Sequence, residues 1–256
     1  MALHFDYASA SAPTASKRPA PSARRSSYTA PLSLRFLCSF VVYDGIALEK
    51  LNIHADGAAF SRAYQIPDEA FAVGLVGLLI PWKGQALFLD AAKLLRQKIP
   101  QLKMLIIGGA PDDCISYEAM LRQRVSDEQL TGLIVFTGHK SAIEAAYNGL
   151  DIVLSASITP EPLGTVVIEA MAMGRPLIAP NHGGAAEMMQ HDETGLLFTP
   201  GDALSLADAI EKCYLSKTLQ ATLGANARSA AFKAFAVETH VERIQNIYRQ
   251  LLERAR

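Results

Sequence analysis

Between Ala72 and Thr199 the chain alternates short, largely apolar runs with amphipathic segments, a pattern few folds can use. The runs are AVGLVGLL (72–79), KMLIIG (103–108), LIVFTG (133–138), DIVLSA (151–156), PLIAP (176–180) and GLLFT (195–199). A strand with one wet face alternates apolar and polar residues; these do not, so each is expected to be covered on both faces. Helical spacing over 85–98, 114–126, 141–148, 164–173 and 184–190 places one helix between successive strands, the signature of βαβ units in a parallel sheet. Three more helices are expected near 203–215, 217–233 and 236–253. The last sets Val237, Val241, Ile244, Tyr248 and Leu251 on one stripe. The expected fold is α/β, a Rossmann-like doubly wound parallel sheet with C-terminal helices. In such sheets ligands bind at the carboxyl ends of the strands, which is where chemistry is sought.

Half of the 256 residues are hydrophobic, enough for a sizeable core. A net charge of −1 gives no electrostatic case for nucleic acid or an anionic membrane as partner. Cys38, Cys114 and Cys213 are odd in number and far apart, which suggests reduced thiols in a cytoplasmic protein, with peripheral attachment to a membrane as the other option. No apolar stretch is long enough for a transmembrane segment. Residues 1–40 stand apart. Up to Arg35 they are rich in Ala, Ser and Pro, carry five Lys or Arg and a single acid, Asp6, and read as a disordered leader or a transit-peptide-like segment ahead of a domain over 41–256.

At the first strand end, GLLIPWKGQ puts Lys83 in a turn before a helix, a candidate phosphate cradle or an ordinary surface lysine. Neither G-x-G-x-x-G nor a P-loop occurs, and no D-x-D pair signals a divalent metal. The second strand ends in GGAPDD. The third ends in TGHKS, with Gly138, His139 and Ser141 as the expected N-cap of the next helix. After the fourth strand comes EPLGTVVIEAMAMGRP, in which Glu161 lies in the loop, the helix begins around Leu163–Thr165, and Glu169 follows inside it. Open amides at the helix start, with Gly164 leaving room for backbone approach, could meet a phosphate while the two acids bind hydroxyls on either side. A solvated loop acid and a dipole-complementing helical acid are the plainer explanation. Against it, Glu169 sits among Val166, Val167, Ile168, Ala170 and Met171, an unusual place for a lone charge.

EPLGTVVIEAMAMGRPLIA resembles the E-x7-E signature of retaining glycosyltransferases of the GT-B fold, in particular glycosyltransferase family 4 (group 1). The resemblance runs from about Val41 to Arg256 and includes VVYDGIAL, VGLLIPWKGQ, LIIGGAP, FTGHK, GLDIVLSAS, NHGGAAEMM and TGLLF. It implies a nucleotide-sugar-binding domain over 41–256 that needs no cofactor or metal beyond its donor substrate. By position, it implies that Glu161 meets the donor sugar near the anomeric carbon and that the backbone at Leu163, Gly164 and Thr165 approaches sugar and diphosphate. Glu169 would bond the ribose, Lys83 would hold the diphosphate, and Gly138 and His139 would flank the base. Two departures are visible. Leu78 stands where the family pattern V-G-R-L has an arginine, and ahead of Val41 there is no counterpart of the family's acceptor-binding Rossmann domain. The expectation is a hexosyltransferase-type enzyme, incomplete as this chain alone, with a separate acceptor-binding Rossmann-like chain as possible partner. The alternatives are a non-catalytic remnant with a decayed nucleotide-sugar site and, less favoured, a GT-B-type epimerase.

Overall fold

A computed structural model describes residues 3–7 and 37–254. Two strands, β1 (Leu3–Tyr7) and β2 (Leu37–Val42), pair antiparallel in a small sheet of their own. LHFDY alternates apolar and polar residues, and LCSFVV is a β-prone apolar run, so each suits a strand. Most of the leader expected over 1–40, residues 8–36, lies outside the described residues. A helix the sequence reading did not place, α1 (Gly57–Ala63), follows Asp56, whose side chain accepts the Ala59 amide at 2.8 Å as an N-cap.

The main sheet has six parallel strands: β3 (Phe71–Val76), β4 (Leu102–Ile107), β5 (Ile134–Gly138), β6 (Ile152–Leu154), β7 (Leu177–Pro180) and β8 (Leu196–Phe198). Their order is β5-β4-β3-β6-β7-β8, with in-register neighbours such as Val73 beside Met104 and Ile152. The chain therefore winds outward from β3 to one edge, returns, and winds from β6 to the other. The expected doubly wound parallel sheet is present, and its reversal point lies between β3 and β6.

Helices cover both faces, as apolar runs without alternation require. Val73, Leu75, Met104, Ile106, Leu154 and Ile178 point into one core with α2 (Gln85–Leu95), α3 (Ile115–Asp127) and α7 (Ala203–Tyr214). Their strand neighbours Ala72, Leu105, Ile107, Val153, Leu177 and Ala179 point into the other. That second core is closed by α1, α4 (Ile143–Asn148), α5 (Thr165–Ala172), α6 (Gly183–Met188) and α8 (Lys217–Ala234). The helix α4 starts one residue later than a Ser141 cap requires. Ala142 occupies the N-cap and no side chain caps it. The last helix, α9 (Val237–Arg254), crosses back to β2 and keeps Val241, Tyr248 and Leu252 well exposed.

The two loops at the reversal point touch through backbone. A Cβ on Gly84, which has φ +80°, would lie 1.9 Å from the Ala156 carbonyl oxygen, and the Ile158 amide donates to the Trp82 carbonyl at 2.8 Å. Gly84→Ala should therefore destabilise the fold by about 2–3 kcal/mol in denaturant unfolding. Gly201→Ala, at φ +75° but in open space, should cost only the backbone strain, about 1 kcal/mol.

Candidate active site

At the carboxyl end of β3 the chain passes through Gly77 and Leu78 into a single 3-10 turn, Pro81–Lys83, and then α2. At the carboxyl end of β6, the loop from Ser155 to Gly164 leads into α5. The contact between the two loops brings Lys83 and Glu161 together. The Lys83 ammonium donates to Glu161 Oε1, and the Ser157 hydroxyl donates to the same oxygen. Both charged side chains are largely buried, at 20% and 15% exposed, so this pair is shielded from the screening that weakens surface ion pairs. The other oxygen, Oε2, lies 3.8 Å from where a Cβ on Gly164 would sit.

The Glu161 loop is braced from behind. His182 Nε2 lies 2.9 Å from the Ser157 carbonyl oxygen, and the Gly184 amide donates to the Glu161 carbonyl at 2.7 Å. A side chain on Gly183 or Gly184 would run into the backbone of Pro160–Pro162 at 2.6–2.8 Å. Gly183 and Gly184 are thus the reason that loop can sit against α6. Sequence reading missed Ser157 and His182. The Gly-Gly pair opening a helix was the one available signal.

The helix α5 begins with no side-chain cap. Gly164 is its N-cap with φ −92° and ψ 97°, so the first amides of the helix are open toward the strand ends. Thr165 is exposed at that end, whereas Leu163 packs its side chain on the second core and can offer only backbone. Glu169 is the fifth residue of α5 and so belongs to its second turn; it does not complement the dipole as a first-turn acid would. It is half-buried, and the fully buried Tyr147 of α4 donates its hydroxyl to Glu169 Oε2 at 2.7 Å. That bond supplies the partner a charge among apolar neighbours requires. Burial raises the Glu169 pKa above its usual 4.5. The Tyr147 hydrogen bond opposes the rise, and Glu144 adds to it.

Glu169 lines a cleft of about 210 Å³ with Gly77, Leu78, Gly108, Gly109, His139 and Lys140 among its walls. Glu161 lines a separate, much smaller depression with Gly164, Val167 and His182. The stem of Lys83 passes beside Gly77, 3.8 Å from where its Cβ would be, and so connects the two. Gly138, at φ +69°, turns the chain out of β5, and its carbonyl accepts from the Gly108 amide at 3.1 Å behind the wall. His139 forms the wall, 3.6 Å from a Cβ on Gly109. Leu78 is 52% exposed at the cleft's edge, and Lys140 reaches over the Tyr64 ring at 5.0 Å. A roomier depression of about 360 Å³ between Pro67 and Gly132 opens at the amino ends of β4 and β5, away from the uncapped helix and the paired charges.

A doubly wound parallel sheet whose reversal point carries a largely buried Lys–Glu pair, an open helix start and a half-buried acid over a cleft places the chain among Rossmann-like α/β domains. The model of the family described as "Glycosyl transferases group 1" matches residues 58–230, which hold the whole six-stranded sheet, and the chain belongs to that family. It is similar to the lipopolysaccharide core biosynthesis mannosyltransferase LpsB of Rhizobium meliloti, at 27% identity over 214 residues, 83% of this chain and 61% of that protein. Among solved structures, Anabaena HepE in complex with UDP and glucose aligns with a TM-score of 0.75 at 31% identity, over 81% of this chain and 55% of that one. The C-terminal domain of the group 1 glycosyl transferase LpcC of Francisella tularensis aligns with a TM-score of 0.67 at 26% identity, over 75% of this chain and all (100%) of that domain. The chain thus spans little more than half the length of the full-length relatives and matches their Rossmann-like GT-B unit.

The raised pKa of Glu169 fixes the sign of a pH effect. Folding favours its protonated form, so its contribution to stability is full below the ordinary 4.5 and is lost as pH rises through the higher folded value. Glu169→Gln should therefore be at least as stable as the unmodified chain at neutral pH and should lose that advantage on acidification, measured as denaturant midpoints across the carboxylate range.

Proposed function

We propose that this chain is the donor-binding half of a glycosyltransferase that takes a nucleoside diphosphate sugar and transfers its glycosyl group, without a metal and with retention, to an acceptor hydroxyl. One observation carries the reading. The buried Lys83–Glu161 pair lies beside the open start of α5, with Glu169 farther along that helix at the wall of the cleft. Cation and helix amides suit a diphosphate, and carboxylates suit sugar and ribose hydroxyls.

In this reading the ribose bonds to Glu169 and the base lies against Gly138 and His139. The diphosphate meets Lys83 together with the backbone amides at Gly164 and Thr165. Glu161 accepts from the donor sugar's hydroxyls near C1. As the bond between C1 and the diphosphate oxygen breaks, charge builds on the leaving phosphate, and Lys83 and the α5 amides stabilise it because they are already in place. The acceptor oxygen attacks C1 from the same face, and its proton passes to the departing phosphate oxygen, which carries away the electron pair of the broken bond. It would be held by a second Rossmann-like unit, on the same polypeptide or on another chain. UDP and glucose bound to the related HepE support a nucleotide-sugar ligand.

A second reading has one specific observation behind it. Leu78 occupies the cleft edge where the family pattern has an arginine, which points to a site that has lost donor affinity and survives as a binding module. Calorimetry with UDP-, GDP- and ADP-sugars separates the two. On the enzyme reading at least one binds, and Lys83→Ala weakens it by about 10- to 100-fold, one charge-assisted contact. Leu78→Arg should tighten it by about 10-fold on the same arithmetic. Silence in the unmodified chain with binding restored in Leu78→Arg would establish the decayed site instead.

A further inference from the structure

The donor-site reading uses Glu169 but leaves open why a half-buried acid holds the right pose and charge. We infer that Tyr147 is the positioning residue for Glu169, fixing its carboxylate by one hydrogen bond so that the other oxygen faces the nucleotide's ribose. The inference rests on the proposed donor site.

Tyr147 is 0% exposed and lies in the last turn of α4, packed in the same core as Val167, Ile168 and Met171 of α5. A phenylalanine would fill that space at no polar cost. A buried hydroxyl requires a partner, and this one donates at 2.7 Å to Glu169 Oε2, across two helices and 22 residues of sequence. Among the described residues Glu169 has no other hydrogen bond from a side chain, so Oε1 is left to the cleft that Glu169 lines. The bond therefore does two things at once. It stops the carboxylate from rotating, and it holds the ionised form against the apolar wall of Val76, Ile107 and Ile143. The charged or titratable groups facing Glu169 are Glu144 and Tyr147 from α4 and, across the cleft from the loop after β5, His139 and Lys140. Glu144 disfavours the carboxylate, and the Tyr147 hydroxyl is the group that lowers its pKa.

The test uses the whole chain, with UDP and GDP and their 2′,3′-dideoxy analogues as probes in calorimetry. The unmodified chain should prefer the ribonucleotide by about 10-fold. In Tyr147→Phe that preference should fall to about 3-fold or less, with affinity for the dideoxy analogue unchanged. The acid limb of ribonucleotide binding, followed between about pH 4.5 and 7.5, should move to higher pH, since the group that lowers the Glu169 pKa is gone. In a Glu169→Ala background, Tyr147→Phe should have no further effect on ribonucleotide affinity. A merely structural tyrosine would lower both affinities together and leave the acid limb in place. Should Tyr147→Phe fail to fold, Tyr147→Met serves with the same expected loss. A ribonucleotide preference that survives loss of the hydroxyl overturns the inference and leaves the donor site standing. Equal affinity for the two nucleotides, or no binding of either, in the unmodified chain overturns the ribose assignment of Glu169 and the inference with it.

Discussion

The site depends on one close approach of backbone to backbone. The turn after β3 and the loop after β6 come from strands that neighbour each other only because the sheet reverses its winding there, and they meet where Gly84 leaves room for the Ala156 carbonyl. The Trp82–Ile158 hydrogen bond ties the same two loops. The Lys83–Glu161 pair hangs from that contact. Lys83 is carried by the first loop and Glu161 by the second, and Gly183 and Gly184 complete the bracing from the far side of the Glu161 loop. The parallel sheet supplies the frame, since burial on both faces fixes where each strand ends and hence where each loop begins.

Much of this was legible in the sequence, for reasons that differ from element to element. The strands start at Phe71, Leu102, Ile134, Ile152, Leu177 and Leu196, each within one residue of the start of its apolar run, because a strand covered on both faces leaves no polar residue to blur that edge; only β3 ends three residues early, at Val76. The helix over Val237–Arg254 was legible from its stripe alone. The pair at β1 and β2 was hidden by the composition of the residues between them. The N-cap of α4 was misread because Ser141 satisfied a local rule, whereas the helix starts one residue later with Ala142 at its N-cap.

The acids show the same division more sharply. Glu161 and Glu169 stood out from spacing and apolar surroundings, but spacing cannot tell that they line different depressions joined by the stem of Lys83. Nor could it show Tyr147 as anything but a core aromatic, because its apolar ring and its hydroxyl answer to different neighbours. Ser157 and His182 act through a backbone carbonyl and one shared carboxylate oxygen, partners that carry no sequence signal.

The Lys83–Glu161 pair has a consequence for how any anion enters this site. With the cation already engaged, a phosphate that takes Lys83 arrives by exchange, one oxygen partner replacing another, and not by addition to a bare charge. The pair's two charges cancel at the base of the site, which therefore offers little long-range pull on anions in general. On the proposed reading, the ligand that suits it is one that can hand Glu161 something in return, a hydroxyl donor set beside the phosphate it delivers. A site wired this way would be quiet toward inorganic phosphate and responsive to a molecule that carries both groups at once.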